Sequence, residues 1–376
     1  MSIAHGPASQ RKPRLHVYEI ECSKGLLGLE FARPEWEQLL RQCPDARFYH
    51  DPRWHLALQR HVISSDIYYF LVRCERTLVA VVPLERIIRR IGPVTVRILR
   101  LPNHPVADLA DIIVAPDHRA GRIIFAIKKF LENSFEKSWD YINLERFTER
   151  SLLRYALDRE GIYWQAVGHS AFVERSEAQP NMSAQLSSKQ MRNVRRHREK
   201  AKQEHGKVNI ERLSKGSLNS FYDAFLQIES SGWKGRQGSS IAARPDAKAF
   251  YLELMDEFGT TGQAVLDILR FGVHPAAGDL GIRNSDGSLT LLKIGYNEAY
   301  NAFGPGAILL QELLAQEEGS SCEINLATNP DWCARWHFPT EQICHSIIFN
   351  VRPHARLIQF ARGVIRRIRT VTRGQA

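Results

Sequence analysis

The segment with the clearest chemistry joins a predicted strand, ending Lys293-Ile294-Gly295-Tyr296, to Phe303-Gly304-Pro305-Gly306, which opens an apolar helix. A helix start presents backbone N–H groups that have no intrahelical acceptor, together with the positive end of the helix dipole. Pro305 lacks an N–H and suits the first helical position, and the flanking glycines let a ligand approach the backbone closely. The segment therefore predicts an anion site, and we expect a phosphate-bearing ligand.

Composition limits the class of protein. The chain has 376 residues, of which 44% are hydrophobic, enough to bury one large core or two smaller ones. Its six cysteines are scattered without a C-x-x-C pair, which argues against a disulfide framework or a metal site and fits a reducing compartment. The basic N-terminus is not followed by an apolar run, and no window has the roughly 18 apolar residues of a membrane span. We expect a cytoplasmic protein with a disordered basic tail over residues 1–14.

The net charge of +10 is concentrated in two segments. No acidic residue follows Glu341, and residues 353–373 show a cationic amphipathic pattern that Pro353 opens, within a tail over 351–376. Such a helix either contacts an anionic membrane, at its inner face, or packs its apolar side on the protein. The basic run 189–202 predicts a helix whose arginines, including Arg192, are either simply solvated or guide an anionic substrate; nucleic acid is a third reading.

Strands and helices alternate in a similar order in both halves of the chain, with the polar break 176–188 as the predicted linker. This order predicts a duplicated α/β unit, with domains over 15–175 and 186–350. The predicted strands are 15–21, 67–74, 77–86, 95–101, 108–114 and 141–144, then 208–213, 263–271, 277–283, 288–295, 322–327 and 343–350. The predicted helices are 33–42, 52–61, 117–136 and 149–159, then 217–230, 246–258 and 306–318, with a glycine-rich loop at 232–240.

Several motifs carry a family resemblance. They are Leu186-Ser187-Ser188-Lys189, Ser230-Ser231-Gly232-Trp233-Lys234-Gly235, Lys293-Ile294-Gly295-Tyr296-Asn297-Glu298 and Gly304-Pro305-Gly306, with a weaker echo in Phe48-Tyr49-His50-Asp51-Pro52-Arg53-Trp54. Together they resemble the GNAT-type acetyltransferase domain of CelD-like proteins, which are named for their association with bacterial cellulose biosynthesis. Fem-type aminoacyltransferases are related to this family. The resemblance implies an α/β (α+β) fold of two tandem GNAT-like (acyl-CoA N-acyltransferase) units, each a mixed, mainly antiparallel sheet with flanking helices.

The resemblance also implies a chemistry. Acyl-CoA, such as acetyl-CoA, would be the co-substrate, with its pyrophosphate against the N–H groups of Gly306, Ala307 and Ile308 beside Gly304 and Pro305. The strand through Lys293, Ile294 and Tyr296 would offer its backbone to the pantetheine arm. An amine or hydroxyl of the acceptor would attack the thioester directly while a backbone N–H stabilises the oxyanion. No metal is implied.

The general base is not fixed by the sequence. Glu229 is the first candidate, and Asp331 and Glu298 are the alternatives, although each can equally be a surface or capping carboxylate. Trp233 either walls the acceptor pocket or belongs to the core, and Lys234 pairs either with donor phosphates or with carboxylates. Arg192 and Trp336 complete the predicted substrate-binding residues.

One residue departs from the family pattern. The family tends to show a tyrosine-lysine pair shortly before a tryptophan, whereas this chain has Cys333 at the lysine position, before Trp336. If that lysine touches the donor or the acceptor, the chemistry or the substrate has changed. Cys333 could also be a nucleophile, but a lone cysteine beside two tryptophans is more typical of a packed residue.

Two classes of function follow. The first is an acyltransferase acting on a sugar, a polysaccharide precursor or an amine, in exopolysaccharide or cellulose biosynthesis; a Fem-like aminoacyl-tRNA-dependent transferase, with tRNA on the helix at 189–202, is its enzymatic alternative. The second is a non-catalytic GNAT-like partner protein of envelope polysaccharide assembly.

Overall fold

The computed structural model describes residues 17–104, 109–135, 139–175, 182, 186–213, 217–317 and 323–373. The first half contains β1 (Glu19–Lys24), α1 (Gly25–Gln42), α2 (Pro52–His61), β2 (Ile67–Cys74), β3 (Thr77–Ile91), β4 (Val94–Arg100), β5 (Ile113–Val114), α3 (Ala120–Ser134), β6 (Tyr141–Thr148), α4 (Leu152–Arg159) and β7 (Trp164–Glu174). The second half contains α5 (Ser188–His205), β8 (Val208–Arg212), α6 (Leu218–Ser230), α7 (Trp233–Arg236), α8 (Pro245–Gly259), β9 (Ala264–Phe271), β10 (His274–Arg283), β11 (Leu289–Tyr296), α9 (Pro305–Glu317), β12 (Glu323–Asn325), β13 (Thr340–Phe349) and α10 (Pro353–Arg373). Short 3-10 helices cover Phe48–His50, Glu298–Phe303 and Asp331–Arg335.

The described strands form one sheet of 13 strands in the order β1-β2-β3-β4-β6-β13-β7-β12-β11-β10-β9-β8, with β5 beside β3. The pairs β4–β6 and β11–β12 are parallel. The other pairs are antiparallel. The two ends of the sheet mirror each other, because each runs inward through four antiparallel strands to one parallel neighbour. The predicted pair of tandem, mainly antiparallel units with flanking helices is confirmed.

The two halves of the chain exchange their last strands. β13 pairs with β6 of the first half, and β7 pairs with β12 of the second half. β7 and β13 also pair with each other, from Trp164 opposite Ser346 to Ala171 opposite Thr340. The boundary between residues 175 and 186 stays a prediction, but each half-sheet is completed by a strand from the other side of it.

Side-chain contacts reinforce this junction. α2 of the first half packs on α8 of the second, where the rings of Trp54 and Phe250 meet edge to face with centroids 5.2 Å apart. Nη1 of Arg60 lies 2.7 Å from Oε1 of Glu253 on the same pair of helices. The turn between β10 and β11 docks on the first half as well, since the Phe48 N–H donates to Asn284 Oδ1 at 2.8 Å.

The structure corrects several predicted elements. β7 has no counterpart among the predictions, because its alternation of buried and exposed residues is irregular and its partners are distant in the sequence. Residues 232–240 were expected to be a loop but include α7. Three elements have other ends than predicted: β1 was expected at 15–21, α1 at 33–42 and β5 at 108–114. The observed α1 contains Pro34 in its interior, and residue 108 is not described.

The predicted helix over residues 353–373 is confirmed as α10. Ala355 and Ile358 are buried against the protein, while Leu357 and Phe360 are 68% and 74% exposed. The predicted basic tail 1–14 lies outside the described residues. Within the described part of the chain, no helix has both the length and the apolarity that a bilayer crossing requires.

A buried ionic network fixes the carboxyl end of α9. Arg212 of β8 makes two bonds to Asp267, at 2.8 and 2.7 Å, and one to Glu317 Oε1 at 2.7 Å. Nη1 of Arg283 lies 2.9 Å from Glu317 Oε2. Asp279 is also buried, and burial together with the charge of Asp267 holds its pKa well above its usual value. The network ties α9 to three strands of the second half.

We predict that Glu317→Gln lowers the free energy of unfolding by about 3 kcal/mol, because it removes the negative charge that two guanidinium groups share in a buried place. Glu199→Gln, which removes an exposed i,i+3 pair with Lys202, should change it by less than about 0.5 kcal/mol. Urea unfolding of the two variants measures both values. Equal effects would show that the network does not stabilise the fold.

Candidate active site

The parallel strands β11 and β12 separate after a short contact. They pair only at Leu289–Ile324 and Thr290–Asn325. From Leu291 to Tyr296, β11 keeps β10 on one side and has no strand partner among the described residues on the other. A strand edge that is open in this way offers backbone donors and acceptors to an extended ligand. The opening is a cleft with Thr290 and Asn325 at its closed end.

The cleft leads to the turn that begins α9. Gly304 has a left-handed backbone, with φ 55° and ψ 49°, and Pro305 is the first residue of the helix. The N–H groups of Ala307 and Ile308 donate to the Gly304 carbonyl at 3.1 and 3.2 Å. These two N–H groups are therefore already hydrogen-bonded within the turn. Of the three N–H groups predicted to bind a phosphate, only that of Gly306 has no acceptor among the described residues.

The residues predicted to hold the donor lie on both faces of the sheet. Ile294 packs in the same apolar cluster as Leu310 of α9, and a Cβ atom on Gly306 would lie 3.7 Å from Tyr296 Cδ1. Lys293 points the other way, since neighbouring side chains of a strand alternate, and its Nζ lies 5.8 Å from the ring centre of Tyr251 on α8. The structure therefore places Ile294 and Tyr296 beside the turn and Lys293 away from it.

The basic helix α5 covers this turn. A Cβ atom on Gly304 would lie 3.2 Å from Cδ2 of His197, and Arg198 forms an ion pair with Glu312 of α9. Arg192 and its neighbours Arg195 and Arg196 are exposed on the outer side of α5. The helix thus places positive charge close to the predicted anion site, although Arg192 itself contacts no part of the turn in the described structure.

Glu229 holds the loop that follows α6. It is buried, its Oε2 accepts a hydrogen bond from the Ile241 N–H at 2.7 Å, and its Oε1 lies 3.2 Å from Nζ of Lys234. Both carboxylate oxygens therefore already have partners, and these contacts hold the loop in place. The general-base role of Glu229 stays a prediction that these contacts do not favour, and Lys234 pairs with a carboxylate.

Close backbone approach explains the glycines of the same motif. A Cβ atom on Gly235 would fall 1.9 Å from the Ser230 carbonyl oxygen, so only glycine fits there. Glu298 packs against Gly232 and lies 2.8 Å from Nη1 of Arg236, so it too serves this loop. The side chain of Trp233 lies outside the described part of the structure.

The segment after β12 packs against the cleft. Asp331 is exposed at the start of the 3-10 helix. Cys333 is buried, and Trp336 is half-buried, in the apolar cluster that also contains Leu289 and Leu291 of β11. Burial raises the pKa of the Cys333 thiol to about 12. The thiol is therefore neutral at physiological pH, which does not support the nucleophile hypothesis.

The comparisons with known proteins agree with this geometry. Residues 188–319 match the family model of the acetyltransferase (GNAT) domain. The second half contains a GNAT acetyltransferase domain. No curated protein matches the sequence.

Solved structures share the whole fold. The crystal structure of FemX matches with a TM-score of 0.57 and 10% identity over 87% of this chain and 98% of that one. The C-terminal domain of a putative lysylphosphatidylglycerol synthetase from Agrobacterium fabrum matches with a TM-score of 0.53 and 11% identity, over 89% and 96% of the two chains. L-PGS from Bacillus licheniformis matches with a TM-score of 0.51 and 12% identity, over 88% of this chain and 96% of that one. At identities this low, the TM-scores establish a common fold. They do not show that the chain shares the substrate of CelD-like proteins.

The structure also contains a cavity that the sequence did not predict. It has a volume of 370 Å³ and is lined by residues of both halves of the chain, among them Tyr49, His50 and Asp111 of the first and Glu323 and Glu341 of the second. Thr290 and Asn325, at the closed end of the cleft, line it too. Its wall combines segments far apart in the chain, and the only local signal was the motif around Tyr49 and His50. In the described residues, no group of three or more His, Cys, Asp or Glu side chains could hold a metal ion.

We predict that Gly304→Ala lowers the free energy of unfolding by about 1–2 kcal/mol, because alanine in a left-handed conformation is strained and its Cβ would press on His197. Gly306→Ala is the matched control. Its φ is not in that region, and its Cβ would make an ordinary contact with Tyr296, so its stability should be equal to or above that of the parent. Thermal unfolding compares the two, and an equal loss in both would contradict the left-handed turn.

Proposed function

We propose that the protein transfers an acyl group from acyl-CoA to an amine or hydroxyl of a small acceptor. The cleft between β11 and β12, which leads directly to the Gly304 turn at the start of α9, carries this proposal. It combines an open strand edge for an extended arm with a helix N-terminus for a phosphate group. In the first half, α3 begins after Arg119 in an extended conformation rather than at a left-handed glycine turn, so the two halves differ at this position.

The donor would occupy the cleft from its open end. Its pyrophosphate would meet the Gly306 N–H and the positive end of α9, and its pantetheine arm would follow β11 towards Thr290. The thioester would then lie at the closed end of the cleft, where the strands meet. The acceptor would attack the carbonyl carbon, a backbone N–H would stabilise the oxyanion, and the CoA thiolate would leave. This route needs no enzyme nucleophile, in keeping with a buried and neutral Cys333.

The class of the acceptor is proposed from the sequence motifs and from the charge of α5. A sugar or a polysaccharide precursor, in exopolysaccharide or cellulose biosynthesis, follows from the motif resemblance alone. The exposed arginines of α5 favour one alternative, a transferase that draws on aminoacyl-tRNA, because a basic helix face binds a phosphate backbone. A non-catalytic partner of envelope polysaccharide assembly would need neither donor.

We predict that acetyl-CoA binds saturably in calorimetry and that Gly306→Glu weakens binding at least tenfold, because the new carboxylate would repel the pyrophosphate. A carboxylate in the first turn also suits the helix dipole, so the variant should fold. Arg119→Glu places a carboxylate at the start of the corresponding helix of the first half, where the side chain is exposed, and should leave binding unchanged.

Two outcomes would reject the acyl-CoA proposal. The first is the absence of acetyl-CoA binding to the parent protein. The second is binding that Arg119→Glu weakens while Gly306→Glu does not. Salt-dependent tRNA binding together with the first outcome would support the aminoacyl-tRNA alternative.

The surface around α10 supports a second proposal, contact with an anionic membrane. Leu357 and Phe360 are exposed on a helix rich in arginine. His354 donates to the Thr95 carbonyl at 3.2 Å and so ties α10 to the β3–β4 hairpin. That hairpin exposes Ile88 and Ile91, on either side of two arginines. Apolar side chains among cations suit the interface of an anionic bilayer.

We predict that the protein sediments with vesicles containing phosphatidylserine and not with pure phosphatidylcholine vesicles. The double variant Leu357→Ser, Phe360→Ser should lose most of this binding. Phe31→Ser removes an equally exposed aromatic ring from α1 and should retain it. Binding to neither kind of vesicle, or equal binding of both variants, would contradict the proposal.

A further inference from the structure

The cavity between the two halves runs from the surface to the closed end of the cleft. Pro44, Asp45 and Leu152 line it and are exposed, so they mark its mouth. Thr290 and Asn325 line it and are only 3% and 5% exposed. These two residues are also the last paired positions of β11 and β12. A molecule that enters through the mouth therefore reaches the strands on either side of the proposed thioester position.

Three buried polar atoms of residues that line this cavity have no hydrogen-bond partner among the described residues: Nε2 of His50, Oδ1 of Asp111 and Oε1 of Glu323. The residues are 8%, 4% and 4% exposed. Buried polar atoms are nearly always hydrogen-bonded, because leaving one unpaired costs about 1–3 kcal/mol. Three such atoms on the residues around one cavity are suited to a polar ligand.

The hydrogen bonds around the cavity define what these atoms offer. The Arg47 N–H donates to Nδ1 of His50 at 3.0 Å, so in the neutral ring the proton is on Nε2, which is a donor. Asp111 Oδ2 lies 3.7 Å from that Nε2, too far for a hydrogen bond, and Oδ1 is free to accept. Glu323 Oε1 forms an ion pair with Nη1 of Arg47 at 3.6 Å, a distance too long for a hydrogen bond, so it can still accept one.

The charges in the cavity favour a cation. Its lining includes four carboxylates, of Asp45, Asp111, Glu323 and Glu341, against two guanidinium groups, of Arg47 and Arg150. Arg150 already bonds to Glu323 Oε2 at 2.8 Å and to Glu341 Oε2 at 2.9 Å. Asp111 has no guanidinium partner in the described structure. A buried carboxylate without a counter-charge is unfavourable until a cation arrives, so an ammonium group would be bound preferentially over a hydroxyl.

We propose that this cavity is the acceptor site and that it binds a compact primary amine in its protonated form, between Asp111 and Glu323. This inference rests on the proposed acyltransferase function. The volume of 370 Å³ is in the usual range for small-molecule sites. The apolar part of the wall, from Leu109, Ile112 and Val114, would face the carbon skeleton, and the His50 Nε2–H would donate to a hydroxyl of the acceptor.

The amine, the thioester and Asp111 account for every bond and proton of the transfer step. The ammonium gives one proton to the Asp111 carboxylate, and the free amine attacks the thioester carbonyl at the closed end of the cleft. A C–N bond forms and the C–S bond breaks. The second proton of the amine passes to the departing thiolate, so the products are an amide and CoA as the free thiol. Asp111 then returns its proton to solvent through the mouth of the cavity.

Calorimetry without any acyl donor tests the site. The probes are glucosamine and 1,4-diaminobutane, each compared with a neutral match, glucose and 1,4-butanediol. We expect at least one amine to bind saturably, its neutral match to bind at least tenfold more weakly, and Asp111→Asn and Glu323→Gln each to weaken the amine at least tenfold. Asp256→Asn, which removes an exposed carboxylate from α8, should leave binding unchanged.

A stability measurement separates ligand binding from a structural role. If Asp111 waits for a cation, Asp111→Asn should keep or raise the melting temperature while amine binding falls, because it removes an unpaired buried charge. If Asp111 instead supports the fold, its variant should melt at a lower temperature, and that result would overturn the proposal.

The binding outcomes are equally distinct. Failure of both amines to bind, or equal binding of an amine and its neutral match, would also overturn the acceptor site. Either result together with intact acetyl-CoA binding would leave the donor proposal standing. Amine binding without acetyl-CoA binding would instead remove the acyltransferase proposal.

Discussion

β7 and β13 each complete the sheet of the other half of the chain. β12 takes β7 as its partner at Glu323, Ile324 and Asn325, while β11 takes β10 along its whole length. β11 and β12 pair with each other at only two positions. A strand from the first half thus supports β12, which forms one side of the proposed donor site in the second half. Because β12 and β6 each take a partner strand from the other half, we infer that folding and site formation are coupled.

Two clusters of arginines and carboxylates show how differently the same residue types can be used. Around Glu317, both carboxylate oxygens bond to guanidinium groups and the cluster anchors α9, although Oδ1 of the neighbouring Asp279 has no hydrogen-bond partner among the described residues. Around Arg47 and Arg150, the carboxylates outnumber the guanidinium groups, and single acceptor atoms also have no hydrogen-bond partner. The second cluster differs because its residues line a cavity, so a ligand can supply the missing partners. This contrast is the reason for placing the acceptor in the cavity.

How far the sequence predicted the protein depended on how local each feature is. The Gly304 turn and the hairpin of β10 and β11 were predictable, because a glycine or an Asp-Gly pair determines the backbone over a few residues. β7 was not, since its burial depends on β12 and β13, which lie far along the chain. The structural role of Glu229 depends on the N–H of Ile241, twelve residues further along the chain, and no sequence pattern predicts that hydrogen bond. The cavity draws on segments of both halves, so only the fold could reveal it.

We propose that an acyl donor enters the cleft between β11 and β12 and meets the acceptor at its closed end. A crystal structure of the protein with a non-hydrolysable acetyl-CoA analogue would show where the donor binds. We expect the pyrophosphate at the Gly306 N–H, the pantetheine arm along Leu291–Tyr296, and the carbonyl carbon beside Thr290 and Asn325, facing the cavity. An analogue bound in the first half, or outside the cleft with its thioester remote from Thr290, would rule out this donor site.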